Sequence, residues 1–167
     1  MKGLLKKGLL NPPMMLVCGL VLGTAARFMD IYCENLGEIF SQMTVWILLG
    51  TLISIYSPTK KAAALNILPF CLGMLATYYA VAILTHGVYG ESYIIGWTVF
   101  ALFSPLLACI AWMAKQPVMP AKLISIGIVF VSFSINFLMF GSPDVFTLIL
   151  NGILIYFLFF KKIPRET

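Results

Sequence analysis

Charge is what this sequence has least of. Only 10% of its 167 residues are Asp, Glu, Lys or Arg, where an ordinary soluble domain carries roughly a quarter. Too little polar surface remains to wrap a water-soluble globule, and 61% hydrophobic residues with a mean hydropathy of +1.00 say the same. Histidine occurs once, at His86, so no pair of imidazoles stands at metal-ligand spacing. Four cysteines, Cys18, Cys33, Cys71 and Cys109, form no C-x-x-C. Only Cys33 falls near an expected surface, so they read as small buried hydrophobes rather than a disulfide or metal set. The net charge of +5 comes without a basic stripe, which excludes a nucleic-acid reader. No triad and no paired carboxylates stand out, so enzyme action on lipid or peptide is the weakest reading and no cofactor is expected.

What is present is apolar sequence in long pieces. A helix crossing about 30 Å of hydrocarbon needs about 20 largely apolar residues. Charges and turn formers cut the chain into six such segments, at about 14–32, 39–56, 62–84, 92–114, 123–140 and 143–160. The fold expected is therefore all-α, one membrane domain over residues 1–167 built as a bundle of six transmembrane helices. The last segment is short, but its start is marked by Ser142 as a cap, Pro143 in the first turn and Asp144 at the positive end of the helix dipole.

Charge placement tests the count. With six crossings, ten of the eleven basic residues fall on one side, among them Lys2, Lys6, Lys7, Lys60, Lys61, Lys115, Lys122, Lys161, Lys162 and Arg165. Five of the six acids, Asp30, Glu34, Glu38, Glu91 and Asp144, fall at or near the other. The positive-inside rule then puts both termini in the cytoplasm of a multi-pass plasma-membrane protein. The first segment also has the outline of a secretory signal, with Thr24-Ala25-Ala26 as the cleavage site. Its removal would leave an odd number of spans, so it is read as a retained anchor.

Arg27 is the one basic residue inside a segment, about 20 Å into the bilayer by helical rise. A charge at mid-helix costs about 2.5–3.5 kcal/mol on insertion scales, so such residues face protein or a watery cavity. Asp30 and Glu34 share its helical face. Two readings stand side by side: an ion pair that orients the first helix, or a polar cavity open to the outside. Gln42, Tyr78, Asn136 and Asn151 lie at similar depth on other segments, with Ser41 and Tyr79 beside them. Together with Arg27 and Asp30 they form the candidate ligand-binding set. Taken singly, each reads as interhelical glue or an interfacial anchor. Pro69 and Pro105 interrupt the third and fourth segments at matching depth, where each can kink its helix.

Gly19 and Gly23 form a G-x-x-x-G continued by Ala26, a face that lets another helix approach closely. Six spans with both termini inside and this small-residue face resemble the substrate-capture subunits of energy-coupling-factor vitamin transporters. The resemblance spans the chain in size and topology, with Gly19, Gly23 and Ala26 its residue-level support and no vitamin-contact motif. It implies a membrane scaffold subunit and a cytoplasmic ATPase module as partners. The function expected is capture or transport of a small polar solute from the outer side. The competing expectation is a non-catalytic interaction, immunity or assembly subunit in which the Arg27–Asp30 pair is structural.

Overall fold

Several helix ends fall where the sequence supplies the chemistry for them. Asn11 Oδ1 accepts from the Met14 N–H at 2.9 Å, and Pro12 and Pro13 take first-turn positions whose N–H groups would have had no partner. Helix α1 runs from there over Pro12–Tyr32, α2 over Met43–Tyr56 and α3 over Lys60–Leu84. Thr59 caps α3 by accepting from Ala62 N at 3.0 Å. Helix α4 covers Glu91–Met113 and α5 covers Pro120–Phe140. Gly141, at φ 77°, stops α5 in a left-handed conformation that costs glycine nothing. Helix α6, Val145–Ile155, passes into one π-helical turn at Tyr156–Phe160. The cap of α6 is Asp144, whose Oδ1 accepts from Thr147 N at 2.8 Å.

The computed structural model describes residues 10–33, 42–86, 90–117, 119–141 and 144–163. Lys2, Lys6, Lys7, Glu34, Glu38, Ser41, Ser142, Pro143 and Arg165, invoked above, lie outside the described residues. Among those described, all regular structure is helical, and the six helices correspond in order to the six apolar segments. Four of them, Pro12–Tyr32, Lys60–Leu84, Ile94–Met113 and Pro120–Leu138, are long and apolar enough to cross a membrane. Met43–Tyr56 and Val145–Phe160 are apolar but shorter.

The tightest helix pair is α1 with α3. A β-carbon added at Gly19 would stand 2.1 Å from Phe70 O, and one at Gly23 2.2 Å from Met74 O. The reverse contact uses Gly73, where a β-carbon would meet Leu16 O at 2.9 Å. Thr77 Oγ1 donates across the same interface to Leu20 O at 2.9 Å. Small residues thus bring the two backbones into direct contact, the usual packing solution where lipid tails are as apolar as the side chains.

Helix α2 is shared by two cores. Trp46 joins Met15, Ile67, Phe70 and Met74 in a cluster over α1, α3 and α4. Leu48 and Ile55 join Leu154 and Leu158 of the last helix in a second cluster. Small residues at Ala101, Ser104, Ala108 and Ala111 form the buried stripe of α4. Pro105 cannot bond the Ala101 carbonyl one turn back, and Ser104 Oγ donates to that oxygen instead at 2.7 Å.

Hydrogen bonds gather alternate helix ends. Trp112 Nε1 donates to Ser57 O at 3.1 Å, and Asn66 Nδ2 to Leu10 O at 3.2 Å and Ser57 Oγ at 3.1 Å. Lys115 Nζ donates to Leu158 O and Lys161 O, each at 2.8 Å. A cation thereby closes the carbonyl end of the last helix, where the dipole favours it. This end of the bundle holds every lysine among the described residues, and the described acids Asp30 and Asp144 belong to the opposite half.

Candidate functional site

Three features could carry function, and they occupy different parts of the bundle. The first is the Arg27 cluster between α1 and α3. Arg27 is buried, with 11% of its side chain exposed. Its Nη1 lies 3.5 Å from Asp30 Oδ2, one turn further along α1. Tyr78 OH donates to the same carboxylate oxygen, and the guanidinium carbon stands 5.6 Å from the Tyr78 ring centre. Asp30 therefore supplies the counter-charge, and Tyr78 supplies both a proton donor and a π face. Arg27 Nε is buried with no hydrogen-bond partner among the described residues.

The second feature joins α2, α5 and α6 through Thr147. Asn136 Nδ2 donates to Thr147 Oγ1 at 2.8 Å, and that hydroxyl donates to Gln42 Oε1 at 3.2 Å. Gln42 Nε2 donates to Asp144 Oδ2 at 2.9 Å, and Asn151 Nδ2 to Thr147 O at 2.9 Å. The Thr147 and Gln42 hydrogen bonds hold the Asp144 carboxyl below the ordinary aspartate range.

The six residues of the expected ligand set thus fall into two groups. Arg27, Asp30 and Tyr78 meet on α1 and α3; Gln42, Asn136 and Asn151 meet around Thr147. Among the described residues no hydrogen bond or ion pair links the groups, and α1 packs chiefly on α3. Thr147, the hub of the second group, was missed from the sequence. Its position three residues after Asp144, where a cap's bonding partner belongs, is the signal that could have found it.

The third feature is a cleft of about 420 Å³ bounded by α2, α3, α4 and α5. None of the six expected ligand residues lines it. Its walls are apolar: Ile67, Phe70 and Met74 from α3 face Ile124, Ile128 and Val131 from α5. Trp46 meets Trp97 edge-on at 6.4 Å, and Trp97 meets Phe100 at 6.0 Å, which makes one end aromatic. The serines in the wall are spent on backbone, Ser54 Oγ donating to Gly50 O at 2.6 Å and Ser104 Oγ to Ala101 O. Their polar capacity is not offered to the cleft.

The opening is lateral. Leu107, Ile110 and Val131 line the cleft and are still 46%, 42% and 48% exposed, so they form a mouth between α4 and α5. Helix α4 packs chiefly on α3, while α5 makes only light contact with α2, α6 and α4 alike. Gly127 widens the space, since a β-carbon there would meet nothing within 4 Å. Signals for this feature existed in the sequence: the stripe Ala101, Ser104, Ala108, Ala111 and the lone Gly127 of α5. No protein-family model matches the chain, and no curated protein or solved structure matches it either.

Proposed function

We propose that this is a six-span, non-catalytic binding or transport protein of the plasma membrane whose ligand chamber is the apolar cleft between α4 and α5. The observation that carries the reading is the combination of a 420 Å³ space, apolar walls and a mouth on the side of the bundle. A pocket of this size lies in the usual range for small-molecule sites. A side opening among Leu107, Ile110 and Val131 suits entry from the acyl-chain region, so the ligand class is an apolar or lipid-like molecule. The lysines collected at one bundle end support the orientation, with both termini on the cytoplasmic side. Helix α2, at 14 residues, spans only about 21 Å by helical rise. Its place among four other helices lets it be short, because protein rather than lipid surrounds much of it.

Gly127→Leu tests this. The larger side chain grows into open space and replaces a residue that disfavours helix by about 1 kcal/mol. The expected result is a variant that melts at or above wild type yet no longer retains the apolar ligand that wild type carries through purification, read by native mass spectrometry. Equal retention by both proteins refutes the cleft as the chamber.

A second reading keeps the solute polar and places it at Arg27, favoured by the partnerless buried Nε. It requires that Arg27→Gln abolish binding of an anionic or zwitterionic solute while expression and melting stay near wild type. Loss of folding with no binding phenotype assigns the pair a structural role.

A further inference from the structure

We propose that the interface of α2, α5 and α6 contains a binding site for a small monovalent cation, with sodium the ion to test. Three side-chain oxygens there are buried with no hydrogen-bond partner among the described residues: Thr44 Oγ1, Ser132 Oγ and Asn151 Oδ1. Thr44 and Ser132 are fully buried and Asn151 is 5% exposed. By helical position all three fall beside the network centred on Thr147. Thr44 is two residues into the chain from Gln42, Ser132 one turn from Asn136, and Asn151 one turn from Thr147, a turn rising about 5.4 Å.

Their lack of partners is not what helical hydroxyls do elsewhere in this chain. Thr24, Ser54 and Ser125 each donate to the carbonyl four residues back, at 2.9, 2.6 and 2.9 Å. Ser132, inside α5, does not take that option. Asn151 has already committed its amide N–H to Thr147 O, which leaves its Oδ1 an acceptor with nothing to accept. Unpaired oxygens in a low-dielectric interior are costly, so the arrangement calls for an occupant.

The chemistry of the donors selects the class. Hydroxyl and amide oxygens are hard ligands, suited to hard cations. The three orphaned groups are neutral, whereas calcium sites are built largely from carboxylates. A neutral oxygen set matches a single positive charge. Asp144 stands at the rim, where its negative charge offsets the positive N-terminal ends of α2 and α6 that would otherwise repel a cation. Toward the lysine-bearing end, Leu48, Ile55, Leu154 and Leu158 close the interface with an apolar layer. The ion therefore enters from the Asp144 side. These observations are separate from the α4–α5 cleft, and the site stands whether or not that cleft holds a ligand.

The test is the melting temperature of the purified full chain in sodium chloride against choline chloride at matched ionic strength, with retention of radioactive sodium as a second readout. Binding to the folded state alone raises the melting temperature with ligand concentration, so a saturable rise of a few degrees in sodium is expected. Ser132→Ala and Thr44→Val each delete one ligand oxygen at little change of volume. Each should weaken apparent sodium affinity at least tenfold and abolish retention of radioactive sodium. In choline both should melt at or above wild type, because a buried unpaired hydroxyl is gone. Should Ser132→Ala not fold, Thr44→Val carries the comparison. Identical melting of wild type in the two salts, as when only water fills the site, overturns the proposal. So does a sodium response undiminished in the variants.

Discussion

Replacing Gly23 by alanine would place a methyl carbon 2.2 Å from Met74 O and 2.4 Å from Thr77 Oγ1. The closest comfortable approach of carbon to oxygen is about 3.3 Å, so α1 and α3 must part by about 1 Å. Met74 O is backbone and cannot rotate away. Parting also stretches the Thr77–Leu20 hydrogen bond across the interface. Overpacking of this kind costs about 1–3 kcal/mol, and the interhelical bond adds about 0.6 kcal/mol. Against this stands a gain of about 1 kcal/mol from alanine's better helix propensity. The net expectation is a loss of about 0.6–2.6 kcal/mol. At about 2–4 °C per kcal/mol for a chain of this size, that is a fall of roughly 1–10 °C in Tm. Gly152→Ala is the matched control, because a β-carbon there meets nothing within 4 Å. It keeps the propensity gain alone and should melt about 2–4 °C higher than wild type. Thermal unfolding of the three purified proteins in one detergent decides it. If Gly23→Ala melts level with Gly152→Ala, the α1–α3 contact is not as close as described.

Three further perturbations test other contacts. Lys115→Met removes two charge-assisted bonds, to Leu158 O and Lys161 O, and should cost about 1.5–3 kcal/mol, seen as a lower Tm and faster amide exchange in the Tyr156–Phe160 turn. Tyr78→Phe deprives Asp30 of its hydroxyl donor and should destabilise by about 1–3 kcal/mol; a melting curve unchanged from wild type would show that the bond carries no weight. Asp144 has its carboxyl held low in the folded state by Thr147 and Gln42, so its stabilising contribution is full above the ordinary aspartate range and fades as pH falls through the depressed folded value. Asp144→Asn should therefore flatten the acid limb of the stability profile, and an acid limb identical to that of wild type contradicts the assignment.

Helices were readable because charges and turn formers cut the apolar runs, and several of the boundary residues cap or break a helix: Asn11 with Pro12 and Pro13, Thr59, Gly141, Asp144. An expected depth along each helix was readable too, since it follows from counting residues. Position around the bundle was not. Arg27 and Asn136 lie at comparable depth, yet α1 packs chiefly on α3 while α5 faces α2 and α6, so their groups stay apart. The G-x-x-x-G at Gly19 announced a close contact but not that its partner would be the Phe70–Met74 backbone. The cleft was harder still, because a space is defined by what four helices leave unfilled. Ala101, Ala108 and Gly127 were visible as small residues, but only the packing of α4 on α3 and of α5 on α2 shows that a gap opens between them. Pro105 was legible as a residue able to kink its helix; with Ser104 occupying the freed Ala101 carbonyl, the helix continues through it.

The most direct test of the chamber is photolabelling in a bilayer with a lipid carrying a photoreactive group along its acyl chain, followed by peptide mapping. Wild type should concentrate label on the cleft-facing positions of α4 and α5, around Leu107, Ile110 and Val131, and Gly127→Leu should abolish that enrichment. Label spread evenly over outward residues such as Val21 of α1 and Phe130 of α5, unchanged by Gly127→Leu, would contradict a lipid-accessible binding cleft.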